Sequence, residues 1–124
     1  MEATFLNVDL EIHSASKLDS LVAAMGKRVV VLYSGAGTVR RHLLTLESSR
    51  QHKGPDAAIR ALCAAIEHLP PAARRLWNAA RKEFDVGYEW PTSERSTRVI
   101  LRPDTIERIS KLGAALAITY YARP

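Results

Sequence analysis

One cysteine cannot make an intramolecular disulfide, so Cys63 suits a reducing, cytoplasmic compartment. No apolar run reaches the ~18 residues of a membrane span. The acidic, alternating first ten residues do not read as a signal peptide. Histidines are few and scattered, at positions 13, 42, 52 and 68, and match no metal-ligand spacing. No serine elbow, metal motif or phosphate loop is present, so neither a metal nor a cofactor is expected. Basic residues never run beyond two in a row, and the aromatics that would stack bases between them are missing.

What is present is the composition of an ordinary folded chain. Its 124 residues fit one domain, residues 1–124, large enough to bury about two thirds of its unfolded surface. The net charge of +5 is unevenly spread. Residues 1–27 hold two bases and four acids, residues 28–82 hold ten bases and three acids, and the remainder balances at six each. The middle therefore carries the whole excess. Such a segment attracts nucleic acid or an acidic partner, or it is the solvated surface of an arginine-rich chain.

Alternation over Thr4 to His13 predicts a strand, with Leu6, Val8, Leu10 and Ile12 on one face and Phe5, Asn7, Asp9, Glu11 and His13 on the other. Ser16 to Asp19 resembles a capping box opening a helix that Gly26 stops. The β-branched run Arg28 to Tyr33 has the pattern of a central strand buried on both faces. Val39 to Glu47 reads as strand or helix, and the strand, pairing in a hairpin with 28–33, is favoured. A polar loop over Ser48 to Pro55 leads to a helix opened by Asp56 with Ile59, Leu62, Cys63, Ile66 and Leu69 on one stripe. Pro70 ends that helix, and Pro71 starts another running to about Glu83. Strands are expected over Phe84 to Trp90, Thr97 to Arg102 and Ala115 to Tyr121, with a turn at Pro91 to Glu94 and a helix over Pro103 to Leu112 stopped by Gly113. Superposing Gly26 on Gly113 brings Val22 onto Ile109 and Tyr33 onto Tyr120, an internal echo of strand, helix, glycine and strand. The expected fold is α+β: a mixed or mainly antiparallel sheet of five to six strands, helices mainly on one face, built of ferredoxin-like βαβ units.

The segment Val99 to Tyr121, an apolar strand, a Pro-started helix with Ile106, Ile109 and Leu112-Gly113, and a strand closing on tyrosine, resembles a widespread bacterial family of small domains of unknown function. So does the opening strand and short helix ending at Met25-Gly26. Some members of that family look like immunity or accessory proteins of bacterial competition systems. The resemblance implies a fold and a class of role, and no active site.

Four constellations carry chemistry or its imitation. Gly35-Ala36-Gly37 follows a strand, but Arg40 stands where a dinucleotide fingerprint needs its third glycine, so a turn is the simpler reading. Arg40, Arg41, Arg74 and Arg75 could touch a phosphate backbone, or be a solvated face. Asp9, Glu11 and His13 share the outward face of the first strand, and Asp85 and Glu89 lie on the Phe84 strand. If those strands are neighbours, carboxylates gather on one open face, where Arg98 and Arg102 could pair with them. Trp90, before Pro91 at a strand end, is the aromatic best placed for exposure, beside Tyr33, Tyr88, Tyr120 and Tyr121. Together these point to a non-catalytic protein–protein interaction module, immunity-like in kind, acting through the open sheet face or its edge. A small enzyme using the open-face carboxylates and a nucleic-acid binder using the basic segment are the alternatives. The partner is expected to be protein, with no membrane, and a homodimer is left open. Cys63, on an apolar stripe, reads as a packed core thiol.

Overall fold

The alternating residues at the start form β1 (Thr4–Ser14), and this first strand becomes the middle of the sheet. The computed structural model describes residues 4–38, 41–90 and 98–122, with Trp90 given by its backbone alone. After β1 come α1 (Asp19–Met25), a single 3-10 turn (Gly26–Arg28), β2 (Val29–Ala36), β3 (His42–Ser48), α2 (Pro55–Glu67), α3 (Pro71–Ala79), β4 (Arg81–Trp90), α4 (Pro103–Lys111) and β5 (Ala115–Ala122). The five strands lie in the order β2-β3-β1-β4-β5. All neighbours are antiparallel except β4 and β5, which are parallel. The fold is α+β with a mixed, mostly antiparallel sheet.

Crossovers explain that order. β1-α1-β2 steps over β3, β3-α2-α3-β4 steps over β1, and β4-α4-β5 joins adjacent strands. A helix is the usual way to return between parallel strands. The internal echo has a structural counterpart here, because β1-α1-β2 and β4-α4-β5 each end in an edge strand after a glycine of positive φ, 58° at Gly26 and 69° at Gly113. Proline opens α2, α3 and α4 at Pro55, Pro71 and Pro103, where its missing N–H costs nothing.

All four helices bury their apolar stripes in one cluster against one sheet face. Leu21, Met25, Ile59, Leu62, Ile66, Trp77 and Ile109 meet Val8, Leu10, Ile12, Leu44, Leu46, Phe84 and Val86 there. Cys63 is fully buried in that cluster, and burial pushes its thiol up to about 11, so it stays protonated at neutral pH. Between α2 and α4 runs a polar seam. Arg108 grips Glu67 with two hydrogen bonds of 3.0 and 2.6 Å, and Arg60 donates to Asp104 at 2.6 Å and to the buried Thr105 hydroxyl at 3.1 Å. The Asp56 carboxylate accepts the Arg102 backbone N–H at the start of α4. Arginine forks suit such a seam because they bind carboxylates in fixed geometry.

Five local expectations are corrected. The run Val29 to Tyr33 is a strand, but it is the outer edge of the sheet, with Val30, Val31, Leu32 and Tyr33 between 39% and 47% exposed. A bulge between Phe5 and Asn7 shifts the pairing of β1 with β4, so Phe5 packs on the core and Leu6 is exposed. No side chain caps α1, and Ser16 instead uses its own N–H to bond the Ser14 hydroxyl. α3 stops at Ala79 rather than near Glu83, because the chain turns extended at Ala80 and β4 begins. Finally, residues 98–102 form no strand; Val99 and Leu101 are anchored on the core and the segment leads straight into α4. The expected turn at Pro91 to Glu94, and Thr97, lie outside the described residues.

Candidate functional site

The face of the sheet away from the helices is built by the polar half of each alternating strand. Antiparallel register sets Asp9 directly opposite Asp85 and Glu11 opposite Glu83 across β1 and β4. On the other flank of β1, Thr45 faces Glu11 and Leu43 faces His13, while Arg81 faces His13 across β4. Glu47 extends the Asp9 row onto β3, since the Asn7 side-chain amide donates both to Asp9 at 2.7 Å and to Glu47 at 3.0 Å. Five carboxylates thus occupy neighbouring positions on three strands.

Neutral donors hold this row more than cations do. Asp85 accepts the Thr119 hydroxyl at 2.7 Å, and His13 is 3.9 Å from Glu11. His13 also keeps a buried Nδ1 without a partner among the described residues. Gly87 belongs to the arrangement: a Cβ there would stand 3.4 Å from Asn7 Oδ1 and 3.5 Å from the Tyr121 ring, so glycine lets both close over the strand. Like charges directly opposite on a sheet destabilise it. The consequence is visible at Asp9, whose carboxyl lies above the usual aspartate value because of burial first, then the nearby Glu47, Asp85 and Glu11, with the Asn7 hydrogen bond opposing.

A raised carboxyl favours the folded state in its protonated form, so its contribution is fullest below the ordinary value of 3.8 and is lost as pH rises through the folded value. Asp9→Asn keeps an acceptor for Asn7 and removes the charge. It is expected to stabilise the protein at neutral pH by up to about 1 kcal/mol, the scale of an opposed cross-strand charge pair. The gain should fade as pH approaches 3.8. Urea unfolding at both pH values measures it, and a loss of stability at neutral pH would contradict the arrangement.

Beside this row the sheet splits. Pairing of β1 with β3 ends at Leu10 and Leu46, and Phe5 to Val8 and Glu47 to Lys53 then line a cavity of about 440 Å³ with Val30 and Ala58. Asn7 and Glu47 belong to both the row and the cavity, whereas Asp9 and Asp85 lie outside the cavity. No group of acids, histidines or cysteine among the described residues could hold a metal ion.

Of the residues singled out by sequence, Asp9, Glu11 and His13 come together on this face with Asp85. Sequence alone does not place Glu83, which it assigns to the end of a helix, or Glu47, whose segment reads as strand or helix; the structure puts them on β4 and β3. The basic residues are dispersed. Arg41 is exposed after the β2–β3 turn, and Arg40 lies outside the described residues. On α3, Arg75 is exposed and the half-buried Arg74 leans on Asn78. Arg60 and Lys82, two more of the middle segment's bases, are tied into the fold. Arg102 pairs with Asp104 at 3.5 Å on α4 rather than with the open-face acids. The Trp90 side chain lies outside the described residues, Tyr88 is buried, and Tyr33, Tyr120 and Tyr121 are exposed on edge strands. Comparison with known proteins adds no relative: no family model, curated protein or solved structure matches the chain. No helix among the described residues is long and apolar enough to cross a membrane.

Proposed function

We propose that the chain is a non-catalytic protein-binding module whose open sheet face receives a basic surface of its partner, immunity-like in kind. The row Glu47–Asp9–Asp85, backed by Glu11–Glu83, carries this reading. Opposed carboxylates cost the free protein stability, and a cationic partner turns that cost into attraction. The likeness of the two chain ends to a family with immunity-like members supplies the biological class. The raised Asp9 carboxyl is also what an acid catalyst needs, but it is only half-buried and lies outside the cavity where a substrate would be held.

Affinity capture from cells of the source, followed by titration of the captured protein, tests this. The native chain and Arg74→Ala/Arg75→Ala are expected to retain the same partner. Glu11→Lys/Glu83→Lys should bind it at least roughly tenfold more weakly, mostly through slower association at low salt. A partner indifferent to the open-face change, or nucleic acid lost with the arginines, would replace this reading with another.

A further inference from the structure

β5 is an edge without the usual protection. Natural edge strands carry charges, prolines or bulges that discourage further pairing. From Gly113 to Ala122 there is no charged residue and no proline, and β5 keeps unbroken register with β4 from Ala115 to Ala122. Among the described residues no strand pairs with its outer side. On the helix side of the sheet, Leu116 and Ile118 are each 42% exposed and Tyr120 is 50% exposed, although Phe84, Val86 and Tyr88 beside them on β4 are buried. α4 precedes β5 and carries one further exposed apolar residue. Its Asp104, Thr105 and Arg108 face α2, so the exposed Ile106, two residues before Arg108 and so on the other flank of the helix, lies away from α2.

We propose that β5 pairs antiparallel with β5 of a second copy about a two-fold axis at Ile118. The sequence of the strand is self-complementary in that register. Ile118 meets its own counterpart, Leu116 meets Tyr120, Ala117 meets Thr119, and Ala115 meets Tyr121, so each ring faces a smaller side chain and no like charges are opposed. The exposed side chains of Leu116, Ile118 and Tyr120 on the helix face and of Tyr121 on the other offer roughly 400 Å² per copy, about half of the ~800 Å² that each partner buries in a stable interface. The other edge is a poorer candidate: β2 is bulged between Val31 and Tyr33, and the Tyr33 hydroxyl bonds back to the Ala36 carbonyl of its own strand. The axis stands perpendicular to the sheet, so a ten-stranded sheet results with both acidic faces on the same side.

Sedimentation velocity over a concentration series tests the pairing without any other partner, so its failure leaves the acidic-face reading standing. The native chain is expected at twice the 13.8 kDa of one copy. Ile118→Lys and Ile118→Glu each place like charges on the axis and should weaken the dimer at least roughly 100-fold, while their equimolar mixture restores it as a heterodimer. Leu32→Lys on β2 should leave the native dimer intact. Amide exchange of the native chain gives a readout free of substitutions: raising concentration should protect residues 115–122 and not residues 29–36. A monomer at all concentrations up to about 100 µM, or protection confined to β2, overturns the proposal.

Discussion

Trp77→Ala is expected to lower stability by about 4 kcal/mol, the range for removing a fully buried large aromatic. The ring is wholly inaccessible in the centre of the helix layer. Its indole N–H donates to the Leu112 carbonyl at 3.0 Å, tying α3 to the end of α4, and the Lys82 ammonium sits 5.2 Å from the ring centre. Alanine would leave a cavity, an orphaned carbonyl and a cation without its aromatic neighbour. Trp77→Phe keeps most of the volume and loses the hydrogen bond, which should cost about 1–2 kcal/mol. Denaturant unfolding of both variants measures the difference. An alanine variant within 1 kcal/mol of the native chain would mean that Trp77 does not hold this junction.

A second large effect is expected at Lys82, which points into the helix side of β4 and is only 7% exposed. Its ammonium donates to the Trp77 carbonyl at 3.0 Å and the Asn78 carbonyl at 3.5 Å, both in the last turn of α3. The Trp77 carbonyl also accepts the Ala80 N–H at 3.1 Å, and the helix dipole at this C-terminus favours a cation. Lys82→Glu would set a carboxylate against carbonyl oxygens in a partly dry site and should cost about 3 kcal/mol or more. Lys82→Met keeps the apolar stem and removes the charge, so about 1 kcal/mol is expected. Burial, assisted by Arg74, holds the Lys82 ammonium below its usual value of 10.5. Between the folded value and 10.5 the unfolded chain therefore binds the proton more tightly, and the stability of the native chain should rise with pH in that window. The methionine variant should lack that rise. Equal stability of the Glu and Met variants would contradict the role of the α3 carbonyls.

Much of the architecture was legible because its signals are local. The prolines at 71 and 103, the glycines at 26 and 113, and the alternation in β1, β4 and β5 each report on their own few residues, whereas Pro55 opens α2 one residue before the expected start at Asp56. What was misread depended on neighbours. Val29 to Tyr33 has the apolar run of a strand covered on both sides, and such a run cannot distinguish a central strand from an edge whose apolar side chains stay uncovered. The bulge at Phe5 and Asn7 reverses the faces of two residues without altering the pattern around them. Lys82 looked like one more base of a positive segment, whereas its role rests on two carbonyls of the preceding helix. At the candidate site, Asp9, Glu11 and His13 could be placed on one face by alternation alone. That Asp85 and Glu83 stand opposite them follows only from the pairing of β1 with β4, more than seventy residues apart along the chain.

That the middle strand of the sheet is made before the other four described strands has a consequence for how the protein is born. During synthesis β1 emerges with Val8, Leu10 and Ile12 bare, and its two partners follow only at residues 42–48 and 81–90. The β2–β3 hairpin and helices α2 and α3 can form locally, but the central ladder waits for β4 to leave the ribosome. Distant pairings of this kind slow folding and prolong the exposure of apolar segments. A nascent chain cut short before residue 81 would present β1 with one flank permanently unpaired, so such fragments should aggregate or be bound by chaperones where the full chain does not.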